Sequence, residues 1–153
     1  MLGKGWEFQW CRVQLRMAQV RAAYVGHDGG TIEACDAVLS FFEALHHLRD
    51  WLGNDKSSGI SKSDADDFIR GSAALRMCGD LANGSKHLVL DRNPWTGDGS
   101  TEITRSDVTI SVSEGAIRHA FYVQSGGESY DVLQVAETAV QEWTSFLTSR
   151  GLL

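Results

Sequence analysis

The chain has 153 residues, 42% of them apolar, and carries 14 basic against 20 acidic residues, a net charge of −6. That length fits one domain with a core of its own. The acidic balance disfavours a protein that coats nucleic acid or an anionic membrane, and no run approaches the ~18 apolar residues of a bilayer-crossing helix.

From Trp6 to Val25 the apolar residues fall in two rows. One is Trp6, Trp10, Val13, Met17, Val20 and Tyr24; the other is Phe8, Cys11, Leu15, Ala18, Ala22 and Val25. Steps of three and four predict one long helix with a wide apolar face, ended at Gly26. A second helix is expected from Thr31, its N-cap, to about Trp51, with Glu33 and Asp36 near the positive end of its dipole. The polar, glycine-containing stretch from Gly53 to Ser61 reads as a loop. A third helix starts near Ser63, which forms a loose capping box with Asp66, and runs at least to Asn83 and on toward His87.

Asp91 to Thr101 holds the only proline of the chain together with further turn-formers, so helix is excluded there. The period then changes to two. Val108, Ile110 and Val112 alternate with polar residues, Glu114-Gly115 turns the chain, and Ile117, His119, Phe121 and Val123 return as a second strand. A lone hairpin is marginal in water, so it must pack on helices. After Gly126-Gly127 breaks the strand, Asp131 and Gln134 supply a capping box for a last helix, with Tyr130 placed to staple onto Val135. Its apolar stripe runs from Val132 to Leu147 and ends before Gly151. The expected fold is mainly α: one domain over residues 1–153, a four-helix bundle with a β-hairpin (about 102–124) inserted between helices 3 and 4.

The cysteines, Cys11, Cys35 and Cys78, are far apart and lack redox or zinc spacing, which reads as small core residues in a reducing compartment. The first ten residues lack a basic segment leading into an apolar one, so no secretory leader is expected and a cytoplasmic location is.

The third helix carries the chemistry. Ser72, Arg76, Asp80, Asn83 and His87 fall within roughly 40° of one line along it, opposite Leu75, Met77, Cys78, Leu81, Ala82 and Leu88. Such groups can hold a phosphate, position a water or move a proton, which makes Arg76, Asp80, Asn83 and His87 the candidate catalytic residues. Asn83-Gly84-Ser85 is also poor helix material, a local cost often found at sites. The plainer alternative is a solvated face, with Arg76 and Asp80 an ordinary i,i+4 pair and Lys86 and His87 near the negative end of the dipole.

A similar row on the second helix joins Asp36, Ser40, Glu43, His47 and Asp50. His47, Lys86 and Trp95 are candidate binding residues, Trp95 either as a partner's anchor or as a lid over the end of the bundle. Glu43 and His46 match the E-x-x-H spacing of di-iron bundles, but no second copy exists. A single metal on His46 or His47 with Asp80 or His87 is the weaker alternative. No metal site and no cofactor are assigned, and neither a phosphate-cradling glycine loop nor a G-x-S-x-G elbow is present.

The phrases His46-His47-Leu48-Arg49-Asp50-Trp51 and Cys78-Gly79-Asp80-Leu81-Ala82-Asn83-Gly84-Ser85-Lys86-His87 resemble a group of small uncharacterised bacterial and phage proteins. The helical layout with a polar, histidine-bearing third element is similar to the HEPN superfamily. That resemblance implies a helical bundle, a homodimer and, for many members, metal-independent RNA cleavage in toxin–antitoxin and antiviral systems. The ribonuclease members carry an arginine, a polar residue and, a few positions on, a histidine. Here only Arg21 and His27 have a suitable gap, with Ala22 in the polar position, so the catalytic pair is not carried over. If RNA is cleaved, helix geometry puts Arg76 on the scissile phosphate, His87 as general acid or base, and Asp80 or Asn83 orienting them.

Two readings therefore stand side by side. One is a non-catalytic module of a defence-related system that self-associates or binds a protein partner. The other is a HEPN-like ribonuclease, with RNA as its partner; neither involves a membrane.

Overall fold

The computed structural model describes residues 3–27, 29–87, 93–97, 99–111 and 115–153. Among them are five α-helices and a three-stranded antiparallel sheet, so the fold is mainly helical. The order is α1 (Trp6–Val25), α2 (Thr31–Asn54), a 3-10 turn (Lys56–Ser58), α3 (Lys62–Arg70), α4 (Ala73–His87), β1 (Glu102–Ser111), β2 (Ala116–Ser125), β3 (Glu128–Asp131) and α5 (Val132–Ser149). No helix among the described residues is long and apolar enough to cross a membrane.

The expected third helix is two helices. Its start lies two residues earlier than the sequence suggested, because Ser61 and Asp64 form the reciprocal capping box rather than Ser63 and Asp66. The break falls at Gly71-Ser72. Ser72 Oγ accepts from the Leu75 N–H at 3.0 Å and so caps a new helix, while its own proton goes to the Glu142 carboxylate of α5. Arg76 closes the end left behind by donating to the Arg70 carbonyl at 2.6 Å. A second difference concerns α2: Gly30, not Thr31, is its N-cap, and the helix runs on to Asn54. Asp131 does cap α5, accepting from Gln134 N at 3.1 Å.

Gly126-Gly127 does not end the sheet. Both glycines have positive φ, 58° and 82°, as a two-residue hairpin turn requires, and Ser125 pairs with Glu128 across it. The hairpin insertion is therefore a three-stranded unit in the order β1-β2-β3.

β3 is only four residues long and pairs with Tyr122 to Ser125 of the ten-residue β2. The C-terminal end of α1 serves the remainder of that edge. His27 exchanges two backbone hydrogen bonds with Ile117, at 3.1 and 2.9 Å. The Tyr24 hydroxyl donates to the Phe121 carbonyl at 3.0 Å and accepts from the Phe121 N–H at 2.9 Å and the Leu133 N–H at 3.2 Å. One proton and two lone pairs are thus all used. Burial pushes the Tyr24 hydroxyl up to about 12, so it remains a donor at any physiological pH.

The core joins these layers. Met17, Phe41, Phe42, Leu45, Leu48, Leu52, Ile69, Phe121, Trp143 and Leu147 are fully or almost fully buried in one cluster. Of the two predicted rows of α1 the first takes part, through Trp6, Val13, Met17 and Val20, joined by Ala23. The second row, from Phe8 to Val25, is exposed at every position. At about 100° per residue the buried and exposed rows lie about 180° apart, not side by side on one wide face.

Replacing Tyr24 with Phe keeps the ring and removes the three bonds. Urea titration of Tyr24→Phe should give an unfolding free energy lower by about 1–3 kcal/mol; an unchanged midpoint would show that the hydroxyl does not tie β2 and α5 to α1.

Candidate functional site

The row predicted on the third helix begins at the break between α3 and α4 and continues along α4. It is largely occupied by the fold. Ser72 is buried as the N-cap, and Arg76 holds the end of α3. Asp80 has 0% exposure. One of its oxygens accepts from Trp95 N at 2.6 Å; the other accepts from Thr96 N at 3.0 Å and Thr96 Oγ1 at 2.6 Å. A buried carboxylate without donors is costly, and these three supply what water no longer can. The network continues from Thr96 Oγ1 to Thr101 Oγ1 at 3.2 Å and on to Ser125 Oγ of β2 at 2.9 Å. Asp80 therefore ties α4, the Trp95 segment and the sheet together. Asn83 is half-buried on the next turn. The side chains of Lys86 and His87 lie outside the described atoms.

Trp95 is half-buried and lies against α4 and α2. A Cβ on Gly79 would sit 2.8 Å from Trp95 Cδ1, so the glycine is what lets the indole lie against α4. The His46 ring meets it edge-on at 5.6 Å, and the guanidinium carbons of Arg49 and Arg70 stand 5.5 and 5.9 Å from the indole centroid. Arg49 is itself fixed by Asp66 of α3, and that bond holds the Asp66 carboxyl below the usual range.

On α2, Glu43 Oε1 accepts from Ser85 Oγ of α4 at 2.7 Å, and Asp50 pairs with Lys62 at 3.2 Å. α2 and α4 thus meet at Glu43 and Ser85, a residue outside the predicted row. His47 is half-buried on the same helix. Among the described residues no three His, Cys, Asp or Glu side chains gather in a way that could hold a metal. The cysteines differ from the expected set of core residues: Cys78 is buried and Cys35 half-buried, but Cys11 is exposed. Burial pushes the Cys78 thiol up, with Glu142 adding to the shift.

A second polar cluster escaped the sequence reading. His27, just past α1, and His119, at the middle of β2, have ring centroids 5.4 Å apart with planes inclined by 21°. His119 is 2% exposed. Its Nε2 lies 3.2 Å from Thr31 Oγ1 at the start of α2, and His27 Nδ1 accepts from Gly29 N at 2.8 Å. His27 Nε2 and His119 Nδ1 are buried without a hydrogen-bond partner among the described residues. Burial first, and His27 second, lower the His119 pKa. The only hint in the sequence was the inward register of His119 on its strand; nothing marked His27 as its neighbour.

No protein-family model, curated protein or solved structure matches the chain.

Two predictions follow from these clusters. Asp80→Ala leaves donors in the Trp95 segment unpaired, each costing about 1–3 kcal/mol where burial persists, so its thermal midpoint should fall sharply. An unchanged midpoint would mean that the segment is not held by this carboxylate. His119 has a lowered folded pKa, so the stability contributed by its neutral form is complete above the unfolded value, about 6.5, and is lost as pH falls through the folded one. Urea midpoints should therefore drop as the pH falls below about 6.5, and His119→Phe should flatten that slope. An identical slope in the variant would assign the acid sensitivity elsewhere.

Proposed function

We propose that the chain is a non-catalytic helical module that works by binding, and that the polar row beginning at Ser72 is part of its frame. The observation that carries this reading is the state of Asp80. A general acid or base must reach the proton it moves, and this carboxylate is wholly buried with both oxygens occupied by Trp95 and Thr96. Arg76, the candidate for a phosphate, is engaged with the Arg70 carbonyl. The net charge of −6 adds a long-range penalty for RNA capture. In favour of binding, α1 turns six apolar side chains to solvent along its whole length, where scattered single residues would be ordinary.

The test is incubation of the purified chain with total RNA, alongside His87→Ala. RNA left intact by both proteins is expected, and equal cleavage by both would take the assignment away from His87. Cleavage by the wild type that disappears in His87→Ala, with an unchanged melting curve, would overturn the reading in favour of a ribonuclease.

A further inference from the structure

The exposed row of α1 has a pattern of its own. Phe8, Cys11, Leu15, Ala18, Ala22 and Val25 follow steps of three and four, a seven-residue repeat with apolar side chains at its a and d positions. The larger members are well open, Phe8 at 43%, Leu15 at 57% and Val25 at 71%. Beyond it, Ile32 at the start of α2 is 84% exposed and lines a groove together with Ala22. The helix buries a different row in its own core; of this second row Phe8 also touches the Trp51 ring of α2, with centroids 6.2 Å apart, while Leu15 and Val25 lie open.

The flanks of the row indicate what fits it. In that repeat Glu7, Gln14 and Arg21 occupy the g positions, and Arg12 and Gln19 the e positions. In two parallel helices a g residue faces the e residue five positions on in the other strand. Glu7 of one copy then meets Arg12 of the other on both sides of the seam, and Gln14 meets Gln19. Arg21, already paired with Glu137 of its own chain at 3.3 Å, faces Gly26. No like charges oppose each other, so the face is complementary to itself. Ala18 and Ala22 let the backbones approach closely, and Cys11 lies opposite its own counterpart.

We propose that the outer face of α1 is a homodimer seam, filled by the same face of a second copy running in the same direction. This rests on the reading of the chain as a binding module and names the partner. The apolar row supplies the driving force, and the Glu7 and Arg12 flanks set direction and register.

Sedimentation of the full chain across a micromolar concentration series tests it. The wild type should show the mass of a dimer. Leu15→Glu and Ala18→Glu each place a charge on the seam and should halve that mass, with an unchanged circular dichroism spectrum because both positions are solvent-facing in the single chain. A short bismaleimide should join two wild-type chains and fail to join Cys11→Ser. A wild type that stays monomeric, or a dimer indifferent to Leu15→Glu, overturns the seam. A dimer split by Leu15→Glu but not joined through Cys11 overturns the parallel arrangement. The RNA assay reads separately: a monomer that leaves RNA intact sinks the seam alone, whereas RNA cleavage lost in His87→Ala sinks the module reading whatever the mass.

Discussion

A strand in the middle of a protein must have both of its hydrogen-bonding edges served, and in this chain that requirement organises the rest. β2 is ten residues long, but β3 reaches only part of it. The shortfall is met by the end of a helix: the Tyr24 hydroxyl satisfies Phe121, and the His27 backbone satisfies Ile117. Arg118 of the same strand returns the contact by donating to the Val25 carbonyl at 2.7 Å. α1 is thereby fixed against the sheet at its C-terminal end, and α5 is drawn in through Leu133. The stacking of His27 on His119 is a product of this docking. The two rings lie face to face beside the backbone pairing of His27 with Ile117.

The other organising group is a carboxylate. Asp80 sits on a helix whose neighbours Cys78, Leu81 and Ala82 are buried, and it is as buried as they are. Such a group is tolerated only where donors are brought to it, and a polar network in a low-dielectric interior then specifies one arrangement strongly. The donors come from Trp95 and Thr96, so one residue of α4 holds this pair in place. Gly79 clears the space in which the indole lies, and the hydroxyl chain through Thr101 to Ser125 carries the same constraint into the sheet. Polar residues that resemble the makings of a reaction site are here the means of closing a fold.

The periodic segments were legible in the sequence. α1, α2 and α5 follow from their apolar spacing, and the hairpin from its change of period. What escaped was decided by single side-chain choices. Ser72 can sit within a helix or cap a new one, and the deciding partner, Glu142, is seventy positions away. Gly126-Gly127 reads as a breaker and as a hairpin turn alike until β3 is known to follow. The helical wheel set Asp80 on one line with Ser72 and Arg76, but a wheel cannot tell water from a returning loop. The same limit applied to α1, where two apolar rows were recognised but only contact with α2 and the sheet could say which one is covered. The His27–His119 pair joins residues ninety-two positions apart, and no local pattern encodes that.

The sheet has one further edge, that of β1. Glu102, Arg105 and Asp107 are exposed along it; Arg105 and Asp107 pair at 3.3 Å, and the guanidinium lies 3.9 Å over the Tyr122 ring. Charged side chains on an outer strand make it a poor template for a foreign strand, because a newcomer would have to strip their hydration while aligning its backbone. At the opposite edge, β3 offers only four residues. Growth into ribbons or fibrils by strand addition is thereby discouraged on both sides.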